Sequence, residues 1–483
     1  MKPRGPVPPL IGYAMGAAAA FGVALAFAFV LPDYPLEWGE GRVFDAARLI
    51  TTGTPLYCDI RQLPCADLTY PPLYSLLVAA LGKLFGLTFT TGRAVSFAAL
   101  LWVLFSLYRI ARISSDKLSA LAAPAVFLLF VEACFYAGVM RPDFLSLALV
   151  LAAMDLVLRH TSKRGAAAAG LVVLAGLFTK PHALASVFAI CIYLAAIDRK
   201  RLVPFIAVAA AGGTLVLGVA QILSGGRFLA HHIGYVAYPI HTLDQLLVVL
   251  FYGALPWVLF MGVALYHSVR ALRRRPVGFV PIYFLVSIVW ALATSTGAGA
   301  APNYLLELYA ATALASASFL GELRDKPWDQ AVRLDRMAAA ALSIQVVLCL
   351  AVNPWLGLER YRSNEKLWSS RETMVPQLRS APEPILVEEL GVAGYTGHRL
   401  FVNSFVVTRL SNMHQWDEDP FLAFLRRGGF SRVVLREAPA DHPTELQHER
   451  FTPRMLEAIA THYRVSWSDG NWFVYEAREG GVR

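Results

Sequence analysis

Four short stretches carry side chains whose types and spacing could do chemistry. "LEWGEG" holds Glu37 and, between two glycines, Glu40, "MRPDF" holds Arg141 and Asp143 around a proline, "FTKPHA" holds Lys180 and His182, and "APNYLLEL" holds Asn303, Tyr304 and Glu307. Carboxylates of this kind can accept a proton from an attacking hydroxyl. Arg141 and Lys180 suit an anionic group such as a phosphate, with His182 beside them. Each feature also has a plainer reading. An acidic residue at a helix start caps the helix or meets its dipole, and a lysine at a membrane edge can extend to headgroups. Glu307 is harder to dismiss, because it falls one turn into an apolar helix, where an ionisable side chain is expensive and is partnered or functional.

The elements that must position these residues are membrane helices. The chain of 483 residues is 57% hydrophobic and 16% charged, with a mean hydropathy of +0.51, far from a soluble composition. Residues 10 to 31 are uncharged over 22 positions, where about 20 span a bilayer. We read eleven spans, near 10–31, 93–112, 118–138, 142–158, 165–180, 182–197, 202–223, 245–269, 277–296, 302–321 and 337–352. Alternate connections are basic, including Arg109, Arg112 and Lys117, then Arg159, Lys163 and Arg164, then Arg270, Arg273, Arg274 and Arg275. Those connections belong in the cytoplasm. The net charge of +9 is therefore topology and implies no nucleic acid. With Lys2 and Arg4 before the first span, the N-terminus is expected inside, and the candidate residues collect on the outer side.

Residues 71 to 86 form an apolar run of about 15 residues, short for a span, and are expected as an interfacial or re-entrant helix. "GEGRVFDAARLITTG" reads as a short amphipathic surface helix ended by Gly53, with Asp45 solvating it. Residues 353 to 483 alternate in the manner of a small soluble α/β domain, in "PILVEEL", "RLFVNSFVV" and "SRVVLRE", and "YRVSWSDGNWFVYEA" reads as a hairpin turned at Asp469-Gly470. The expected fold is thus mainly α: a transmembrane bundle over 1–352, including an outer loop over 32–92, and an extracytoplasmic α/β domain over 353–483. Cys58 and Cys65 sit together in the outer loop and are expected to form a disulfide in an oxidising compartment. His231, His232 and His241, near Tyr235 and Tyr238, lack metal-ligand spacing and read as an interfacial aromatic belt.

The order of these motifs resembles the GT-C superfamily of lipid-dependent glycosyltransferases, nearest to its protein mannosyltransferase and aminoarabinose transferase branch and bacterial relatives. The resemblance covers residues 10 to 321. It rests on Glu40 in the first outer loop, "DAARLITTG", "YPPLY", "LFG", "RPD", "TKP" and "NYLLEL". Gly39 stands where better-known members have Asp before Glu, and Tyr70 where some relatives have Lys. The resemblance implies transfer of a sugar, with inversion, from a polyprenyl-phosphate donor to an extracytoplasmic acceptor, in the inner membrane of a bacterium and among its lipids. Glu40, then Asp143, with Glu37 in reserve, would act as base. Arg141, Lys180 and His182 would bind the donor phosphate, and Tyr70, Asn303, Tyr304 and Glu307 would line the substrate. The sequence itself requires no metal or other cofactor, and a divalent metal is the alternative, with no motif to support it. The alternative is a non-catalytic membrane protein that transports or binds lipid-linked sugars, which would show polar residues or broken helices within its spans.

Overall fold

The computed structural model describes residues 9–235, 242–274, 276–297, 299–325, 331–442 and 450–478. Tyr238, His241, Arg275, Lys2 and Arg4 lie outside them. The chain forms two compact units that interleave along the sequence. One comprises residues 1–31, 93–217 and 241–360, and the other 32–92, 218–240 and 361–483. The outer loop therefore folds with the tail.

The first unit is a helical bundle. Among its long apolar helices the most enclosed, Leu306–Arg324, is buried along most of its length and is rich in Ala and Ser, whose small side chains let neighbouring helices approach. Helices Lys117–Leu128, Val258–Leu272 and Phe279–Thr294 pack against it. Among the described residues, five helices are long and apolar enough to cross a membrane, or six with one bent pair, and the other apolar helices are shorter. Two of the eleven expected spans are broken. The span at 118–138 bends by 75° between Leu128 and Val131, and that at 245–269 ends at Gly253 and restarts at Val258. Carbonyls freed by such breaks need partners inside a membrane, and the bundle supplies them. Leu129 O accepts from Trp257 Nε1 at 3.1 Å and Asn353 Nδ2 at 2.6 Å, Gly253 O accepts from the Tyr309 hydroxyl at 2.6 Å, and Pro256 O accepts from Gln345 Nε2 at 3.0 Å. The span placed at 337–352 belongs to a longer helix, Arg333–Leu367.

One end of the bundle is cross-braced by ion pairs. Arg109 and Arg159 hold Asp155 at 2.8 and 2.6 Å, Arg324 holds Asp116 at 2.7 Å, and Arg270 and Arg274 hold Glu322 at 2.5 Å each. Asp155 and Arg159 end the helix that Asp143 begins, and Arg324 ends the helix that follows Asn303. Asp143 and Asn303 thus lie at the opposite end of the bundle.

The second unit holds a four-stranded sheet of order β1-β2-β4-β3, with β1 (Ile385–Val387) parallel to β2 (Arg432–Leu435), and β4 (Phe473–Ala477) antiparallel to both β2 and β3 (Tyr463–Ser468). The last two strands are the expected hairpin. "RLFVNSFVV" is not a strand, because Asn403 caps helix Ser404–Asn412 by accepting from Val406 N. The core gathers Phe401, Phe421, Phe430, Val433, Met455 and Tyr475, together with Ile60 and Cys65 from the outer loop.

The expected surface helix is helix Glu40–Thr52, and its first eight residues are buried. It lies between helices Leu73–Phe85 and Leu390–Thr396. At Gly41 an added Cβ would stand 2.2 Å from the Leu390 carbonyl carbon, so only glycine permits the approach. Asp45 is likewise buried, pairing with Arg48 at 2.7 Å. Leu73–Phe85 buries Tyr74, Val78 and Ala79 and exposes Leu84 and Phe85.

Candidate active site

Three local devices bring Arg141, Asp143, Lys180 and Asn303 together. Pro142 (φ −71°) stands just before helix Asp143–Arg159, so Asp143 opens the helix with its amide outside the ladder. The preceding turn lies against the first helix at Gly138, where a Cβ would meet Phe29 Cβ at 2.4 Å. Pro181 prevents the helix ending near Leu177 from continuing, leaving Lys180 just past its end. Ser146, one turn into the Asp143 helix, donates to Gly176 O at 2.9 Å and Lys180 O at 3.2 Å and so ties the two ends. Asn303 lies in the short turn Pro302–Leu305 that enters the central helix.

Asp143 is the hub. Its Oδ1 accepts from Lys180 Nζ at 2.5 Å and Asn303 Nδ2 at 2.6 Å, and its Oδ2 accepts from Arg141 Nε at 3.1 Å. All four residues are buried. Lys180 Nζ also lies 5.0 Å from the Tyr304 ring centre, a favourable cation–π placement. Two cations and one carboxylate leave a local charge of about +1, which suits a monoanionic phosphodiester.

His182 packs on Tyr304 with ring centres 4.1 Å apart, and its Nε2 donates to Tyr304 O at 3.2 Å. Trp290 Nε1 donates to His182 O at 2.7 Å. Glu307 Oε1 accepts from Ser186 N at 2.9 Å and from the Ser186 hydroxyl. Asp143, Lys180, His182, Asn303 and Glu307 line one small cavity. Ser146, Ser186 and Trp290 are members that sequence reasoning missed, since a serine or tryptophan in an apolar helix carries no local signal of its partner.

Glu37, Glu40 and Tyr70 belong to the second unit. Glu40 is fully buried, and its Oε2 accepts from Leu36 N at 2.6 Å and Glu37 N at 3.3 Å. Glu37 Oε2 accepts from Gly39 N at 2.7 Å, so these two carboxylates shape the turn before their helix. Tyr70 is half-buried ahead of helix Leu73–Phe85. Cys58 and Cys65 are joined, with Cα atoms 5.7 Å apart. The loop they close is anchored by Trp416 Nε1 on Ile60 O at 2.9 Å. His231 is no interfacial belt residue: it is buried, accepts from Leu68 N at 2.8 Å through Nδ1, and has Nε2 2.8 Å from Cys58 O. Among the described residues the one grouping with metal-ligand proximity is Cys58, Cys65 and His231, and its two sulfurs are bonded to each other.

No protein-family model matches the chain, and no curated protein matches it in sequence. Solved structures match it in fold. ArnT from Cupriavidus metallidurans bound to undecaprenyl phosphate is 15% identical, with a TM-score of 0.64 over 97% of this chain and 98% of that one. The oligosaccharyltransferase of Archaeoglobus fulgidus tethered with an acceptor peptide is 13% identical, with a TM-score of 0.53 over 98% of this chain and 75% of that one. The archaeal oligosaccharyltransferase AglB from the same organism, in complex with an inhibitory peptide and a dolichol-phosphate, is 12% identical, with a TM-score of 0.51 over the same shares. The chain shares its fold with these structures.

Proposed function

We propose that the protein transfers a sugar from a polyprenyl-phosphate donor to an acceptor outside the cytoplasmic membrane. The observation that carries this reading is the buried group of Lys180, Arg141, Asp143 and Asn303, at the bundle end away from the basic cluster. Basic ends face the cytoplasm, so the site faces outward, where a lipid-linked sugar and an external acceptor would meet. The fold supports the reading, since structures sharing it hold undecaprenyl phosphate or a dolichol-phosphate.

In this reading Lys180 and Arg141 neutralise the departing lipid phosphate, a role in which preorganised cations lower the barrier directly. Asp143 holds both cations in place, and this positioning role fits its contacts better than proton transfer does. Glu40 remains the proposed base for the acceptor hydroxyl, with Glu37 in reserve. Attack opposite the phosphate inverts the anomeric centre. Tyr304 and His182 shape the wall beside Lys180, and Tyr70 is kept as a substrate contact.

The broken helices do not favour a transporter. Their freed carbonyls are occupied by Trp257, Asn353, Tyr309 and Gln345, and Asp155 is held by two arginines at the basic end. The test is release of radiolabelled sugar from a panel of undecaprenyl-phosphate monosaccharides by the full chain in nanodiscs. Lys180→Met and Arg141→Gln are each expected to lower turnover by about 10²-fold, and Glu40→Gln to abolish it. Turnover indifferent to Lys180→Met, or absent with every donor, would overturn the proposal.

A further inference from the structure

We infer that Asn303 and Glu307 form a subsite that recognises one hydrogen-bond-donating substituent, hydroxyl or amino, on the donor's sugar. The inference rests on the proposed function and names which part of the substrate these two residues read. Asn303 is 2% exposed and Glu307 is 7% exposed. The Asn303 amide has a fixed sense, because a carboxylate only accepts and Asp143 therefore takes its Nδ2. Its Oδ1 is left with no hydrogen-bond partner among the described residues. In Glu307, Oε1 is occupied by Ser186, while Oε2 also has no hydrogen-bond partner among the described residues.

These are two buried acceptors on the lining of a single cavity, and the cavity is shared with Lys180 and Asp143. Buried acceptors without donors are costly, and Ser146, His182 and Trp290 nearby each have a partner of their own. The cavity measures about 20 Å³, which admits a hydroxyl- or amine-sized group and excludes a sugar ring. A glycosyl phosphate carries both kinds of group. Its phosphate is attached at the anomeric carbon, so with the phosphate at Lys180 a ring substituent a few bonds away can enter between Asn303 and Glu307. With Glu307 ionised, both open atoms accept, and a donor fits there.

The test uses the full chain in nanodiscs with undecaprenyl-phosphate monosaccharides and the deoxy analogue of each at every ring position. The wild type is expected to disfavour one analogue by at least about tenfold in kcat/KM, the pattern of a site built to bond a polar substituent. Glu307→Gln is expected to bring that ratio towards one. Comparing an amino sugar with its hydroxyl counterpart at the same position decides which substituent is preferred. Binding of undecaprenyl phosphate without a sugar reports that the variant is folded. If no analogue is disfavoured, or if Glu307→Gln lowers turnover equally for all donors, the subsite is overturned while the proposed function stands. If the wild type uses no donor at all, the proposed function itself has failed and the subsite with it.

Discussion

Asp143→Asn isolates the charge at the centre of the site while keeping the size of the side chain. The Asp143 side chain is 1% exposed, and Lys180 and Arg141, 8% and 9% exposed, contact it at 2.5 and 3.1 Å. At an effective dielectric constant of about 20, each contact is worth roughly 5 to 7 kcal/mol before desolvation is counted. Removing one partner of a buried pair leaves the other charge uncompensated, at a net cost of about 3 to 5 kcal/mol. Here two cations are left together, so the upper part of that range is expected. A lipid phosphate supplies the missing negative charge, and undecaprenyl phosphate should therefore raise the melting temperature of Asp143→Asn more than that of the wild type. The assay is thermal unfolding of purified protein in nanodiscs with and without undecaprenyl phosphate. An unchanged melting temperature in the variant, or an equal response of both proteins to the lipid, would refute the reasoning.

Gly41→Ala should destabilise the second unit by about 1 to 3 kcal/mol or more through overpacking against Leu390, seen as earlier proteolysis of the tail on heating. Asp67→Asn removes the anion from a buried group in which Arg42 and Asn403 both donate to Asp67 Oδ1, and should cost about 3 to 5 kcal/mol in denaturant unfolding of the full chain. Burial, reinforced by Glu388, pushes the half-buried Glu389 carboxyl up to about 7 against the pull of Arg436 and Arg450. A carboxyl raised on folding retains its proton in the folded state. Its contribution is therefore fully present at acid pH and declines as pH rises from about 4.5 towards 7. Glu389→Gln should flatten that part of the stability profile, and an unchanged slope would contradict this assignment.

The sequence exposed the bundle because long uncharged runs and alternating basic turns are local signals, and a charge asymmetry is sufficient to sort the turns onto two sides. It also showed Arg141, Asp143 and Lys180 at turns of one side, and the structure joins them with Asn303. What sequence could not show is pairing at long range. Nothing near Arg42 indicates Asp67 as its partner, and nothing near Gly41 indicates Leu390, so the burial of the first outer loop against the tail was invisible. The break before Val258 carried a partial signal in Pro256, whereas Pro124 lies inside its helix and does not mark the break after Leu128. Their satisfaction by Trp257, Asn353, Tyr309 and Gln345 depended on helices far along the chain.

The measurement that tests the central claim most directly is a cryo-electron microscopy structure of the protein in nanodiscs with undecaprenyl phosphate added. The account predicts phosphate density within contact of Lys180 and Arg141, at the bundle end opposite Arg109 and Arg159. A phosphate bound only at the Arg109 and Arg159 end would contradict it.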